Sequence, residues 1–343
     1  MTRLSQSKHP AYHLRPNKAV DRLLFLELLR TLELHGSKLP DTYVGLGGPF
    51  LEDFRLLSQE FPQMELVCVE RDEETHKRQL FHLCSSRMVC VHGPLGDYIA
   101  TSFPSDKPVA IWMDYTEMRR ESLSELADIV RKAVPGSLIR VTVRAETPIY
   151  DLGVSRKRCP PRVPSAKRAE FERLRDLYRT DMAVDEAAFR AEWFHWRSFS
   201  PEEFPQLLAR MIRAVAEASC SRPKAFLPLH TVKYSDGTIM LSKTGLICRE
   251  EERDSLALHF QEHCHYCSAD PDAMDEIDVP ILTTKERLHL EGILPSKQAN
   301  GEACLGKLGY LIEGDTEEEA SRRKMEQYER YYRLYPYFGK VVP

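Results

Sequence analysis

The sequence predicts an α/β protein built on a mostly parallel β-sheet with helices on both faces. Three observations predict this fold. Between residues 42 and 144, short apolar runs alternate with segments whose apolar residues have helical spacing, and a Gly-rich turn follows the first run. Later in the chain, an Asp-Gly pair separates two longer β-like runs. Alternating strands and helices form right-handed β-α-β units with parallel strands, whereas Asp-Gly is typical of an antiparallel hairpin.

The composition is that of a folded globular chain. Of 343 residues, 42% are hydrophobic and 29% are charged, which excludes a disordered protein. No long apolar run and no apolar leader are present, so we expect a cytoplasmic protein without membrane contact. Nine cysteines, an odd number, are typical of reduced thiols. A net charge of -4 gives no overall attraction to phosphate groups.

The first predicted element is a helix that begins at Pro16 and ends near Gly36. Leu24, Leu28 and Leu32 follow each other at four-residue spacing and form one apolar face. Residues 1–41 are therefore expected to form an N-terminal helical cap.

The alternating elements follow directly. Five parallel strands are predicted at residues 42–46, 64–70, 88–91, 108–114 and 137–144, with helices near residues 50–61, 75–83 and 123–133 between them. The hairpin strands are predicted at residues 225–234 and 238–248. The sheet domain is thus expected to cover residues 42–248.

Two segments lie outside this alternation. Residues 146–199 are too long for a connection and are predicted to be an insertion with helical structure. After it, Ser200-Pro201-Glu202-Glu203 predicts a helix with Ser200 as N-cap. A capping box from Thr283 to Glu286 predicts helices in the last part of the chain, a C-terminal appendage over residues 249–343.

The ends of the first two strands carry a candidate binding site. The first strand runs into Gly45-Leu46-Gly47-Gly48, where glycines allow a sharp turn and close approach of a ligand to the backbone. The second ends at Glu70, whose carboxylate is spaced to accept hydrogen bonds from ribose hydroxyls. This pair predicts a site for an adenosine-bearing ligand. The alternatives are a Gly-rich turn without a ligand and a solvated charge.

With these features the sequence resembles the class I S-adenosylmethionine-dependent methyltransferases over about residues 42–248. The resemblance is carried by the glycine loop, Glu70, the Gly93–Asp97 loop, Asp114-Tyr115 and the closing hairpin. It implies a Rossmann-like sheet of seven strands with an antiparallel last strand, and S-adenosylmethionine as cofactor. It also implies a role for each candidate: Gly45, Gly47 and Gly48 under the methionine part, Glu70 on the ribose, and Arg71, Gly93 and Asp114 as further cofactor-binding residues.

Three positions depart from the family pattern. Tyr43 stands two residues before the first glycine, where the family has an acidic residue, and Pro49 stands at the third glycine position. Pro94 replaces an acidic residue often found near the adenine. The departures at Tyr43 and Pro49 favour an alternative function, a binding or regulatory subunit without catalysis. An NAD-dependent oxidoreductase would share the glycine loop and Glu70, but the hairpin disfavours it.

Asp114 and Tyr115, at the end of the fourth strand, are the candidate catalytic residues. Methyl transfer requires an aligned nucleophile, so one hydrogen-bond acceptor or base is sufficient. We expect Asp114 to orient the acceptor or the cofactor amine, with Tyr115 as a stacking or hydrogen-bonding wall. In the alternative interpretation, Asp114 caps the next helix.

The only indication of the acceptor substrate comes from the insertion at residues 146–199. Basic side chains are concentrated in residues 156–168, namely Arg156, Lys157, Arg158, Arg162, Lys167 and Arg168. They slightly favour a nucleic-acid or nucleotide acceptor over a small metabolite; a solvated segment is the alternative. The aromatic run Trp193-Phe194-His195-Trp196 would either stack on a base or pack inside the insertion.

Two further patterns lie near the C-terminus. Cys264-His265-Tyr266-Cys267 is half of a zinc motif, and because a second half is missing we predict no metal site. Tyr328, Tyr331 and Tyr335 share helical spacing with Met325, which predicts that this helix docks on the core or on a partner protein.

Overall fold

The structure is a computed structural model that describes residues 15–147, 165–183, 189–235, 237–295, 300–312 and 318–336. The five strands of its parallel part are β1 (Thr42–Gly45), β2 (Glu65–Glu70), β3 (Met88–His92), β4 (Val109–Asp114) and β5 (Leu138–Arg144). The other three are β6 (Lys224–Ser235), β7 (Ile239–Arg249) and β8 (Asp275–Ile277).

These strands form one sheet in the order β3-β2-β1-β4-β5-β7-β6-β8. β1 pairs in parallel with β2 and β4, β2 with β3, and β4 with β5, whereas β7 runs antiparallel to β5. The predicted mostly parallel sheet with a reversed seventh strand is therefore confirmed. The short β8, parallel to β6, extends it by a strand that the sequence pattern does not predict.

The helices in the first half of the chain are α1 (Pro16–Leu34), α2 (Glu52–Glu60), α3 (Glu73–Phe81), α4 (Leu95–Thr101) and α5 (Arg120–Lys132). Those in the second half are α6 (Ser165–Asp176), α7 (Phe204–Ser219), α8 (Arg253–His263), α9 (Thr284–Glu291), α10 (Glu302–Leu308) and α11 (Glu318–Tyr331). None of the helices in the described part of the chain is long and apolar enough to cross a membrane.

Among the differences from the predicted elements, two lie at the starts of helices. The segment Gly93–Asp97 is a loop only at its start, because α4 begins at Leu95 and buries Leu95, Tyr98 and Ile99. α7 begins at Phe204 rather than directly after Ser200. Pro205 explains the later start, since it has no N–H to donate to the carbonyl of residue 201 and so interrupts the hydrogen bonds that would join residues 201–203 to the helix.

The chain divides into two compact units. One comprises residues 29–231 and 238–274; the other comprises residues 1–28, 232–237 and 275–343. The first unit contains all the candidate cofactor and catalytic residues. The division of the chain into three domains, with boundaries at residues 41 and 248, stays a prediction.

The two faces of the sheet in the first unit differ in character. One face carries the apolar core, in which Val44, Ile111 and Val141 cluster with buried residues of α4, α5 and α7. The other face has polar groups that are buried and paired. Trp112 Nε1 donates to Thr142 Oγ1 at 2.9 Å. The fully buried Arg140 donates to a threonine of β7 at 2.6 Å and lies 4.8 Å from the Trp112 ring.

In the second unit, the tyrosine pattern is buried. Met325, Tyr328 and Tyr331 have no more than a trace of exposed surface, as the prediction of docking on a core requires. The partner interaction through this helix stays a prediction. The predicted capping box is confirmed: Thr283 accepts from the backbone N–H of Glu286 at 3.3 Å, and the Glu286 carboxylate accepts from the N–H of Thr283 at 2.7 Å.

Candidate functional site

Parallel pairing brings the candidate residues to one edge of the sheet. Gly45 is paired with Cys68 on β2 and with Trp112 on β4, so Glu70 and Asp114 each lie two residues further toward the carboxyl edge. The N–H of Gly93 donates to the carbonyl of Glu70 at 2.9 Å. The end of β1, Glu70, Gly93 and Asp114 therefore lie along the same rim, where open α/β sheets bind their ligands.

The glycines of the loop after β1 serve different physical purposes. A methyl group on Gly47 would lie 2.7 Å from Phe54 and 2.9 Å from Leu51, both fully buried, so packing requires a glycine here. Around Gly48, by contrast, no atom of the described residues lies within 4 Å of the position that a Cβ would take. The Gly48 backbone is thus open to a ligand.

Gln79, on α3, holds this loop and was not among the sequence candidates. Its side chain is fully buried, and its Nε2 donates to the carbonyl of Gly47 at 2.5 Å. Within the described residues its Oε1 is buried and has no hydrogen-bond partner. The sequence carries no signal for this role, because Gln79 lies in a polar helix where a solvated glutamine is the ordinary expectation.

Glu70 is a partly buried carboxylate at the rim. Its Oε1 accepts the backbone N–H of Asp72 at 2.8 Å, which fixes the orientation of the side chain. Burial raises its pKa, an effect partly offset by that backbone hydrogen bond. A carboxylate that has lost part of its hydration in this way is suited to accept hydrogen bonds from ligand hydroxyls.

The residues beside Glu70 complete this end of the rim. Arg71 is exposed in the turn before α3, and Asp72 caps α3 by accepting from the N–H of Thr75 at 2.8 Å. Gly93 has a φ of 147°, which a residue with a side chain rarely adopts, and in the described part of the chain no atom lies within 4 Å of its Cβ position. Gly93 therefore presents a second open stretch of backbone.

Asp114 is the last residue of β4 and is partly buried. The N-cap position of the next helix, α5, is Arg119, which is five residues further along the chain. The alternative interpretation of Asp114 as a helix cap is therefore wrong. Asp114 also lies close enough to Tyr43 to contribute to the raised pKa of that phenol.

The hydroxyl of Tyr115 has a hydrogen-bond partner within the protein. It donates to Glu125 Oε2 on α5 at 2.5 Å, and Glu125 also accepts from the backbone of Gly96. Burial, followed by the Glu125 charge, raises the pKa of Tyr115 well above its usual value. The Tyr115 hydroxyl is thus a protonated link between β4 and α5, while its ring packs against the apolar core.

Tyr43, the departure from the family pattern, is paired with a carboxylate. It is fully buried, and its hydroxyl donates to Asp53 Oδ2 on α2 at 2.7 Å. A methyl group on Gly45 would lie 2.6 Å from the Tyr43 hydroxyl, so this phenol lies directly against the first glycine. The absence of a side chain at Gly45 makes room for Tyr43.

The insertion contributes aromatic residues near the end of β5. Thr147 donates to the carbonyl of Phe199 at 2.5 Å, and the Tyr178 ring lies 5.7 Å from that of Phe199. Phe194 is buried and Trp193 packs against the core. Of the two interpretations of the aromatic run, these contacts agree with packing inside the protein. Burial raises the pKa of Tyr178 to about 12, with the Glu117 charge as a smaller cause.

The predicted basic stretch is only partly within the described residues. Residues 156–164 and the side chain of Lys167 lie outside them. Along α6, three arginines form ion pairs with acids of the same helix: Arg168 with Glu172, Arg173 with Glu170, and Arg175 with Asp176. Cys264 is buried at the end of α8, and in the described part of the chain no group of three or more potential ligands could hold a metal.

The rim fits an adenosine-bearing cofactor. Within the described residues, Gly48 and Gly93 offer unobstructed backbone, and Gln79 has a buried Oε1 without a hydrogen-bond partner while its Nε2 donates to Gly47. Glu70 provides a carboxylate of the type that pairs with ribose hydroxyls. These features are properties of this chain's own residues.

Comparison with known proteins gives structures of low sequence identity. Trm1 from Pyrococcus horikoshii, solved with S-adenosyl-L-methionine, is similar at 14% identity and a TM-score of 0.44; the match covers 71% of this chain and 58% of Trm1, little more than half. N-methyltransferase NodS from Bradyrhizobium japonicum is similar at 11% identity and a TM-score of 0.36, covering 67% of this chain and 97% of NodS. TYW2 from M. jannaschii, solved with AdoMet, gives 9% identity, a TM-score of 0.37 and coverage of 72% and 78%.

No curated protein matches the sequence. A protein family, by contrast, matches almost the whole chain, over residues 10–343, and its description is "Putative O-methyltransferase". The chain belongs to this family.

Proposed function

We propose that this protein transfers the methyl group of S-adenosylmethionine to an oxygen atom of an acceptor bound at the carboxyl edge of the sheet. The observation that carries this proposal is the position of Asp114, on the same rim as the open glycine loop and Glu70. The family description supports oxygen as the methylated atom.

Several residues of this chain would bind the cofactor, each at a different part. Glu70 accepts hydrogen bonds from the ribose hydroxyls, and the open backbone at Gly48 and Gly93 lies against the cofactor. The bound cofactor supplies an electrophilic methyl group on a sulfonium. Gln79 keeps the loop in its shape through the carbonyl of Gly47.

Asp114 would act on the acceptor. Its carboxylate would accept a hydrogen bond from the acceptor hydroxyl and so orient an oxygen lone pair. It would receive the hydroxyl proton as the C–O bond forms, while the methyl C–S bond of the sulfonium breaks and S-adenosylhomocysteine leaves. We assign Tyr115 no proton transfer, because its hydroxyl already donates to Glu125.

For the acceptor, we propose a nucleic acid or nucleotide ahead of a small metabolite. The support is the basic character of residues 156–168 in a chain of net charge -4. The arginines of α6 between residues 168 and 175 add little to it, since each is paired with an acid. The proposal therefore depends on the basic residues 156–162.

The test combines binding with transfer. Calorimetry should detect S-adenosylhomocysteine and not NAD, and Glu70→Ala should weaken the former. Methyl transfer from labelled S-adenosylmethionine is then measured on total RNA, DNA and a panel of hydroxylated small molecules, with wild type and Asp114→Asn. Label on RNA that disappears with Asp114→Asn would support the proposal. Label on a small molecule would contradict the proposed nucleic-acid or nucleotide acceptor and identify a small metabolite instead.

A second candidate function is a cofactor-binding subunit without turnover. The replacement of the family's acidic residue by Tyr43 favours it. Tight binding of S-adenosylhomocysteine together with no transfer to any of the acceptors would select this function over catalysis.

A further inference from the structure

A carboxylate next to the first glycine has no role in the function proposed so far. Asp53 lies in the first turn of α2 and is partly buried. Its Oδ2 accepts from the Tyr43 hydroxyl, which lies against Gly45. Both Asp53 and Asp114 are near enough to Tyr43 to act on it electrostatically. Two carboxylates and a phenol therefore surround the start of the glycine loop.

Tyr43 can orient Asp53 because it stays protonated. Burial, followed by the charge of Asp53, raises the pKa of Tyr43 well above its usual value, so its hydroxyl is a donor at neutral pH. A donor in this position fixes one oxygen of the Asp53 carboxylate. The ring is also held at 5.0 Å from Phe54, which limits its movement.

We propose that Asp53, positioned by Tyr43, binds the α-ammonium group of S-adenosylmethionine in this chain. Two residues before Gly45 the sequence has no acidic side chain, and the negative charge would come instead from Asp53 on α2, which the Tyr43 hydroxyl holds by a 2.7 Å hydrogen bond. This inference rests on cofactor binding at the glycine loop, and it makes Tyr43 a positioning residue.

A structural role for the same contact is the competing explanation. An acid in the first turn of a helix is favourable by itself, because it interacts with the N-terminal backbone groups. That role affects folding stability and does not depend on which ligand is added. Ligands that differ only in the ammonium group therefore separate the two explanations.

The experiment uses calorimetry on the full chain with three ligands. S-adenosylhomocysteine carries the ammonium group, an analogue with hydrogen in place of the α-amino group lacks it, and 5′-methylthioadenosine lacks the whole amino-acid part. The variants are Asp53→Asn and Tyr43→Phe. Asp97→Asn is the matched control, since Asp97 is an exposed acid in the first turn of α4.

For Asp53→Asn we expect S-adenosylhomocysteine to bind about 10- to 100-fold more weakly, the usual effect of losing a charge-assisted hydrogen bond. The deaminated analogue and 5′-methylthioadenosine should bind as they do to wild type. Tyr43→Phe should give a smaller loss with the same ligand pattern, and Asp97→Asn should change nothing.

Equal binding of S-adenosylhomocysteine by wild type and Asp53→Asn would overturn the inference, as would an equal loss for all three ligands. In either case wild-type binding of 5′-methylthioadenosine would leave the proposed cofactor site standing. Failure of wild type to bind any of the three ligands would instead overturn both this inference and the proposed function.

Discussion

Adding one methyl group at Gly47 and at Gly48 separates packing from ligand binding. The two residues are neighbours, and neither has the positive φ that would itself exclude alanine. In Gly47→Ala the new methyl group would lie 2.7 Å from Phe54, 2.9 Å from Leu51 and 3.0 Å from Cys68. In Gly48→Ala it would meet no atom within 4 Å among the residues that the structure describes.

The expected magnitudes follow from these distances. Phe54, Leu51 and Cys68 are fully buried and cannot move aside, so Gly47→Ala should lower the free energy of unfolding by about 1–3 kcal/mol, the typical cost of overpacking. Gly48→Ala should change it by no more than about 0.5 kcal/mol, as for a surface substitution. The free energy of unfolding is measured by urea denaturation of the unliganded proteins.

For ligand binding, Gly48→Ala is the informative substitution. Gly48→Ala puts a methyl group into the space where the cofactor is proposed to lie, so S-adenosylhomocysteine should bind at least about tenfold more weakly to a fully stable protein. Calorimetry measures this. Wild-type affinity in Gly48→Ala would refute the proposed course of the cofactor, and wild-type stability in Gly47→Ala would refute the packing argument.

Two other side chains give predictions of opposite kinds. Tyr115→Phe should lower the free energy of unfolding by about 1–2 kcal/mol, because Glu125 loses a partly buried donor; a large fall in S-adenosylhomocysteine affinity instead would restore Tyr115 to the binding site. Burial lowers the pKa of Lys243 to about 8, and its Nζ donates to Thr231 Oγ1 at 2.8 Å. Between about pH 8 and the ordinary lysine pKa of 10.5, the unfolded chain binds more protons at this position, so the stability of wild type relative to Lys243→Met should rise with pH by about 1–3 kcal/mol. Urea denaturation at pH 7.5 and 9.5 checks the sign, and a flat or falling difference would contradict it.

The elements were predictable wherever the local sequence pattern was clear. β2, β4 and β5 are short apolar runs between turns, and the structure has them within one residue of the predicted limits. α4 was missed because it has only seven residues and begins with Leu95-Gly96, a weak helical signal. β8 has three residues and pairs with β6, from which it is separated by α8, so no local pattern marks it.

The sequence by itself determined that glycines and an acidic residue end neighbouring strands, and that a hairpin closes the sheet. Only the tertiary structure decided which side chains face the rim. The Gln79 bond to Gly47 joins residues 32 positions apart, and Tyr43 and Tyr115 each find a carboxylate ten positions away on a helix. The physical reason is that strand order and periodicity depend on local spacing, whereas the partner of a buried polar group depends on how helices from elsewhere in the chain pack against the sheet.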